Sequence, residues 1–313
     1  MNMAFVGSKD IKIYLFLGLF VSFALFVISP DSYTHDLYGR VDSAWFYMCG
    51  KAWMNGLTPY VDFSDSKGPL LWLIYGIGYL ISPYNCIGVF WISCIWYTLT
   101  YVFTYKTAMI FLKDSKKSVI CTLLMTLAYF NPWFHNETRA EDFCQLFIII
   151  SLYQTCFILY KENIEEINIK RGVALLGACF SSLLLIKFNI AAMQLVFAFY
   201  LLVVMFKDKR LNLSIVVYYL IGVFAVMFPF ILYFILYADL GAFVKEYFIN
   251  TTLTVSYNEN ILKSYIMECL QFVIHQPRIA ILVITLLGCW LISYSLNRHR
   301  FFPILAFLFF WGI

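Results

Sequence analysis

The sequence has few charged residues for its length. Asp, Glu, Lys and Arg make up 13% of the 313 residues, whereas hydrophobic residues make up 62%. Soluble domains need about twice that share of charge to cover a core of this size. The composition therefore argues against a soluble globular protein and indicates an integral membrane protein.

Several motifs of common enzyme classes are also missing. The sequence contains no GxGxxG after a strand and no GxxxxGK[ST], which argues against a nucleotide-binding site. No two of the nine cysteines form a CxxC pair, so neither a zinc site nor a redox motif is supported. The spans do not carry the central ionisable residues that a proton-coupled transporter usually shows. The net charge of +4 is therefore better interpreted as membrane sidedness than as nucleic-acid binding.

Long apolar runs predict an all-α polytopic fold with about nine transmembrane helices. The first run, 13–29, spans roughly 30 Å of hydrocarbon with help from its flanks. The other predicted spans are 87–112, 118–133, 143–160, 172–186, 190–206, 213–237, 279–296 and a final run, 301–313, that is too short to cross. We expect one transmembrane domain over 1–313, with a C-terminal portion missing from the chain.

The basic residues predict how these helices are oriented. Thirteen of the 22 Lys and Arg residues fall in the N-terminus and alternate loops on one side, which the positive-inside rule places in the cytoplasm. The apolar run 69–82 reaches only about 18 Å as a helix, so we interpret it as interfacial or re-entrant. The predicted outer loops are then 30–86, 134–142 and 238–277.

The first outer loop combines acids, bases and turn residues. Residues 42–54 predict a short amphipathic helix on the outer membrane face, capped by Asp42 or Ser43 and ended by Asn55-Gly56. Lys187 lies between two apolar runs on the same outer side, where a cation needs a partner, and a lipid phosphate is a natural one. The carboxylates in or just before the loop are Asp31, Asp36, Asp42, Asp62 and Asp65.

Three motifs in this loop resemble bacterial GT-C glycosyltransferases. They are Asp42-Ser-Ala-Trp-Phe, Asn55-Gly-Leu-Thr-Pro-Tyr, and Asp62-Phe-Ser-Asp-Ser-Lys-Gly-Pro69. They are similar to the family's acid near the start of the loop, its G-x-x-P-Y turn, and its acid shortly before K-[GP]-P. The family contains polytopic relatives of the protein O-mannosyltransferases and of the aminoarabinose transferase that acts on lipid A. An acid in the second outer loop is also typical, and here it lies in Asn136-Glu-Thr-Arg-Ala-Glu141.

The resemblance implies an enzyme of the inner, or plasma, membrane whose site is extracytoplasmic. Such an enzyme transfers a sugar from a polyprenyl-phosphate carrier to a hydroxyl of a lipid- or glycan-linked acceptor, with inversion. Asp42 matches the family's general base. Lys67 and Lys187 are the candidates to bind the donor phosphate, because negative charge grows there as the lipid phosphate departs.

The resemblance also implies a possible divalent metal ion. Asp65, together with Glu137 or Glu141, matches acids that hold such an ion in some members, where it acts as a Lewis acid. The sequence does not choose between Glu137 and Glu141. Further candidate site residues are Asp62, Arg139 and Tyr60.

Ordinary structural roles stay open for the same residues. Asp42 is also explained as a helix N-cap, Lys67 as a lysine at the rim of the loop, and Lys187 as a snorkelling side chain. Glu137 and Glu141 also fit a solvated loop face. These alternatives make the three-dimensional arrangement of the residues decisive.

Two other functions remain in competition. A flippase or transporter of lipid-linked sugars would need charged residues facing a central cavity and paired inverted halves, and the sequence shows neither. A polysaccharide polymerase or ligase typically carries its basic residues in large later outer loops. Lys245, Lys263 and Arg278 keep this second alternative open.

The orientation gives a direct prediction. A reporter fused after Lys117 should read as cytoplasmic, and one fused near Asn136 should read as external, because the span between them crosses the membrane once. Paired phosphatase and fluorescent-protein fusions measure both positions. The reverse pattern would contradict the predicted span count.

Overall fold

A computed structural model of the chain describes residues 8–35, 41–124, 126, 138–161 and 164–252. This part is helical and contains no named β-strand, only an isolated bridge between Pro59 and Phe63. The chain up to Tyr247 forms one compact unit, and Phe248–Ile313 forms a second, of which only 248–252 are described. The helices are α1 (Ser8–Ile28), α2 (Val41–Met54), α3 (Pro69–Ile81), α4 (Ile87–Leu112), α5 (Ser115–Leu124), α6 (Ala140–Tyr160), α7 (Glu166–Ile186), α8 (Phe188–Lys207), α9 (Leu213–Tyr237), α10 (Leu240–Phe243) and a π-helix (Val244–Asn250).

Six of these helices are long and apolar enough to cross a membrane. They are α1, α4, α6, α7, α8 and α9, which confirms a polytopic helical fold with candidate spans at the predicted places. The bounds of α4 and α9 equal the predicted ones, 87–112 and 213–237. Of the other predicted spans, 118–133 is described only in part, and 279–296 and 301–313 lie outside the described residues. The count of nine stays a prediction.

The two helices predicted within the 30–86 loop are present, with one difference at the start of the first. Val41 is already helical, so Asp42 lies in the first turn of α2 and not at its N-cap position. The helix ends at Met54, shortly before Gly56, whose φ of 91° lies in the left-handed region. α3 has 13 residues and begins with Pro69, whose ring suits the first helical position.

The helix after the predicted loop 134–142 begins three residues before the predicted span 143–160. α6 begins at Ala140, so Glu141 and Asp142 occupy its first turn. The carboxylate of Asp142 accepts hydrogen bonds from the backbone N–H of Arg139 and the hydroxyl of Tyr97, both at 2.7 Å. These bonds stabilise the start of the helix, where acidic side chains also interact favourably with the helix dipole.

α7 and α9 pack at backbone distance through glycine. A Cβ on Gly222 would lie 1.8 Å from the carbonyl oxygen of Ala174, and one on Gly177 would lie 2.1 Å from that of Tyr219. Small residues at helix interfaces allow this approach, which increases van der Waals contact inside a bilayer. This packing stabilises the position of α7, which ends at Ile186, directly before Lys187.

This contact predicts the effect of one methyl group. Gly222→Ala should lower the midpoint of thermal unfolding in detergent, because overpacking costs about 1–3 kcal/mol. Ile221→Val on the same helix is the control, since Ile221 is 52% exposed and its side chain faces outward. Equal midpoints for the two variants would show that the helices do not need this approach.

Candidate functional site

Lys187 lies at the break between α7 and α8. Its backbone is extended (φ −155°, ψ 99°), so this single residue ends one helix and precedes the next. Its ammonium group donates to the carboxylate of Glu141 in the first turn of α6, which makes an ion pair. The Lys187 side chain is 24% exposed and that of Glu141 is 47% exposed, so solvent reaches the pair. A residue predicted to bind phosphate thus contacts one predicted to bind metal.

The Lys67-Gly68-Pro69 segment of the first loop lies directly on the last turn of α7. The N–H of Gly68 donates to the carbonyl of Ile186 at 2.9 Å. A Cβ on Gly68 would lie 2.0 Å from the carbonyl oxygen of Leu185, so a side chain does not fit without movement. Because Lys67 precedes Gly68 and Lys187 follows Ile186, this contact brings the two lysines to neighbouring backbone positions.

Lys67 completes a cluster of charge around the ion pair. Burial raises the pKa of Glu141, but the ion pair with Lys187 and, more weakly, the charge of Lys67 hold it below its ordinary value. The ammonium group of Lys67 also lies 5.9 Å from the ring centroid of Phe46 on α2, and it donates to the hydroxyl of Ser66 at 3.1 Å. Three separate segments of the chain therefore meet here: the end of the first loop, the start of α6 and the α7–α8 break.

The first turns of α2 form the other side of this cluster. The indole N–H of Trp45 donates to a carboxylate oxygen of Asp65 at 2.9 Å. Asp42 is exposed and lies three and four residues before Trp45 and Phe46, so the three are neighbours on the surface of α2. The predicted base is thus one helical turn from residues that contact Asp65 and Lys67.

Three helices begin at this cluster. They are α3, α6 and α8, whose first residues are Pro69, Ala140 and Phe188. The residues before α3 and α8 supply no side-chain cap to the helix. Since the start of a helix carries partial positive charge, the helices add to the field of the two lysines. The end of α7 and the carboxylates of Glu141 and Asp65 lie here as well, so the cluster contains charges of both signs.

Tyr60 is a buried residue that stabilises the first loop. It is 4% exposed and its φ of 65° lies in the left-handed region, which costs a residue other than glycine about 1–3 kcal/mol. Its hydroxyl donates to the backbone carbonyl of Lys67 at 2.9 Å, and burial raises the pKa of Tyr60 well above its ordinary value. The ring packs against four others, those of Trp72, Phe234, Phe243 and Tyr247. Tyr60 therefore holds the backbone that carries Lys67.

Two of the remaining candidates, Asp62 and Arg139, belong to the described residues. The carboxylate of Asp62 accepts the backbone N–H of Thr58 at 2.6 Å and thereby closes the turn of the first loop. Arg139 has extended backbone and directly precedes α6. Glu137 lies outside the described residues. Asp62 thus has a structural role in the loop, which accounts for its position beside the G-x-x-P-Y turn.

The described residues provide no group of three His, Cys, Asp or Glu side chains that could share a metal ion. Two of the predicted ligands, Asp65 and Glu141, already accept hydrogen bonds from Trp45 and Lys187. A metal ion would have to compete with these donors. A metal ion at this cluster stays a prediction, since Glu137, the third predicted ligand, lies outside the described residues.

Sequence reasoning missed the residues that fix the first turn of α6. The hydroxyl of Thr138 donates to the carboxylate of the fully buried Asp31, and the hydroxyl of Tyr75 donates to the carbonyl of Thr138 at 2.7 Å. Asp31 and Thr138 are 107 residues apart, so no local pattern signals the contact. Tyr247 was missed as well, although its hydroxyl donates to the carbonyl of Leu184 at 2.7 Å beside Gly68.

Comparisons with known proteins leave the class of protein to be inferred from the chain itself. No family model, curated protein or solved structure matches this sequence. The described residues define the class broadly, as a helical membrane protein with a charged cluster at one end of its helices. Any narrower assignment depends on the motifs and on the contacts described above.

The Gly68 contact gives the prediction for this site. Gly68→Ala should lower the midpoint of thermal unfolding in detergent by several degrees, because the new methyl group meets backbone atoms of α7 and costs about 1–3 kcal/mol. Ser64→Ala, in an exposed part of the same loop, is the control and should leave the midpoint unchanged. If both variants unfold like the wild type, the loop does not rest on α7.

Proposed function

We propose that this protein is a membrane glycosyltransferase that uses a polyprenyl-phosphate-linked sugar. It transfers the sugar to a hydroxyl of a lipid- or glycan-linked acceptor on the outer face of the plasma membrane. The observation that supports this most is the meeting of Lys67, Lys187 and Glu141 from three separate segments, beside Asp65 and the first turn of α2. Such a cluster is what a phosphate headgroup and an attacking hydroxyl would require.

The two lysines would bind and stabilise the phosphate of the donor. During transfer, the acceptor oxygen bonds to the anomeric carbon while the bond from that carbon to the phosphate oxygen breaks. The electron pair of the broken bond stays on the phosphate, which gains negative charge. Lys67 and Lys187, aided by the helix starts around them, are placed to interact with that charge, and such stabilisation is often the largest part of catalysis.

Asp42 would act as the general base. In this proposal it takes the proton of the acceptor hydroxyl as that oxygen attacks, which typically contributes 10²–10⁴-fold to the rate. It is exposed to solvent in the first turn of α2. It lies one helical turn from Phe46, whose ring centroid is 5.9 Å from the Lys67 ammonium group, and this supports a position near the lysines. A single displacement of this kind inverts the anomeric centre.

The membrane setting supports a lipid-linked donor. Lys187 separates two helices that are each long enough to cross a membrane, so its ammonium group lies at the end of the apolar layer. A lipid phosphate occupies the same depth as a snorkelling lysine. The alternation of basic loops supports an outer location for this end, as the positive-inside rule expects.

The proposed base gives a test of activity. In membranes supplied with radiolabelled polyprenyl-phosphate sugar, Asp42→Asn should reduce transfer by about 10²–10⁴-fold, because the amide cannot accept the proton. Protein abundance and the midpoint of thermal unfolding should stay at wild-type values. Asp208→Asn is the control, since Asp208 is also an exposed carboxylate but follows α8 on the opposite, basic side.

If the Asp42→Asn variant still transfers sugar at the wild-type rate, Asp42 is not the general base. Transfer that falls equally in both variants would point to a general effect of lost surface charge. A wild-type protein that transfers no sugar from any polyprenyl-phosphate donor would contradict the proposed function as a whole.

A further inference from the structure

The ion pair between Glu141 and Lys187 conflicts with a simple phosphate site. The proposed function places the lysine on the donor phosphate, yet in this structure its ammonium group donates to Glu141. Carboxylate and phosphate oxygens both accept charge-assisted hydrogen bonds from ammonium groups. An ammonium group has three N–H donors and can contact both acceptors, but the Glu141 carboxylate neutralises the charge of Lys187 and repels a phosphate beside it. The two acceptors therefore compete for the attraction of the same lysine.

We propose that Glu141 is an internal competitor for the lipid phosphate. It holds Lys187 while the site is empty, gives it up when the donor phosphate binds, and takes it back as the product lipid phosphate leaves. This inference rests on the proposed function and adds to it a residue that controls how tightly phosphate is held. Glu141 then acts as a positioning residue for Lys187.

The surroundings of the pair allow this exchange with little movement. The backbone of Glu141 is in the first turn of α6, which Asp142 and Thr138 fix through hydrogen bonds to Tyr97 and Tyr75. The backbone of Lys187 is fixed by the helix break and by the neighbouring Gly68 contact. Only the two side chains need to rotate, and partly exposed side chains do so within nanoseconds.

The charges of donor and product explain why a competitor would help. The donor phosphodiester carries one negative charge, whereas the released phosphate monoester carries about 1.5 to 2 near neutral pH. Two lysines alone would therefore hold the product more tightly than the donor. A carboxylate that interacts with both Lys187 and Lys67 opposes this, because it competes for one lysine and repels the more highly charged product most.

Binding of a product-like probe tests the inference without knowledge of the sugar. A short-chain prenyl monophosphate is titrated into the purified full-length protein in detergent, with inorganic phosphate in a parallel series. Glu141→Gln should bind the prenyl phosphate about fivefold more tightly than the wild type, the size expected for loss of a partly exposed ion pair. Glu141→Asp, which keeps the charge, should stay nearer the wild type.

Further variants assign the gain to Lys187. Lys187→Gln should weaken binding, and adding Glu141→Gln to it should bring a smaller gain than in the wild type, because only the interaction with Lys67 and the repulsion of the phosphate are then removed. Glu166→Gln is the matched control: Glu166 pairs with Lys170 at 2.8 Å at the start of α7, away from the cluster. Removal of its charge should leave binding of the prenyl phosphate unchanged.

The two probes distinguish the sources of the phosphate. A gain in affinity for inorganic phosphate as well indicates a general phosphate site, and a gain for the prenyl compound alone indicates that the lipid headgroup is needed.

Two results would overturn the inference and separate it from the proposed function. If Glu141→Gln binds the prenyl phosphate no more tightly than the wild type, at an unchanged thermal midpoint, the ion pair is structural. The proposed function survives that result as long as Lys187→Gln still weakens binding. If the probe binds neither the wild type nor the Glu141→Gln variant, or if Lys187→Gln binds it as tightly as the wild type does, both proposals are contradicted.

Discussion

The backbone contact between Gly68 and the last turn of α7 is the constraint on which the candidate site depends. It joins the loop before α3 to a helix more than a hundred residues later in the chain and so determines the backbone positions of both lysines. The aromatic cluster around Tyr60 holds the loop against this contact from the other side. Hydrogen bonds fix the backbone, and the packed rings bury apolar surface beside it.

A second set of buried polar contacts fixes the third segment of the site. Tyr75 and Tyr97, from α3 and α4, donate to the start of α6 through their hydroxyls, and Asp31 accepts from Thr138 on the same turn. Buried polar groups without water must find such partners inside the protein. Each partner therefore does two things: it satisfies a buried group, and it sets the position from which Glu141 reaches Lys187.

The sequence predicts the long helices better than the site. The ends of α4 and α9 follow from apolar length and basic flanks, since a bilayer imposes a fixed span on the chain. The start of α6 is missed because its stability depends on Tyr97, 45 residues away from Asp142. The need of Lys187 for an anionic partner is predicted, but the partner found, Glu141, is 46 residues distant and belongs to the chain itself. Contacts of that range leave no local pattern.

The single-residue connection between α7 and α8 ties the site to the thickness of the bilayer. Both helices are long enough to cross a membrane, and only Lys187 separates them. A helix that is too long for its bilayer tilts, and one that is too short thins it, each at a modest free-energy cost. Because no flexible loop separates the two helices, a tilt of either helix in response to such mismatch moves the ammonium group of Lys187. The acyl-chain length of the surrounding lipids thereby becomes a variable of the site geometry.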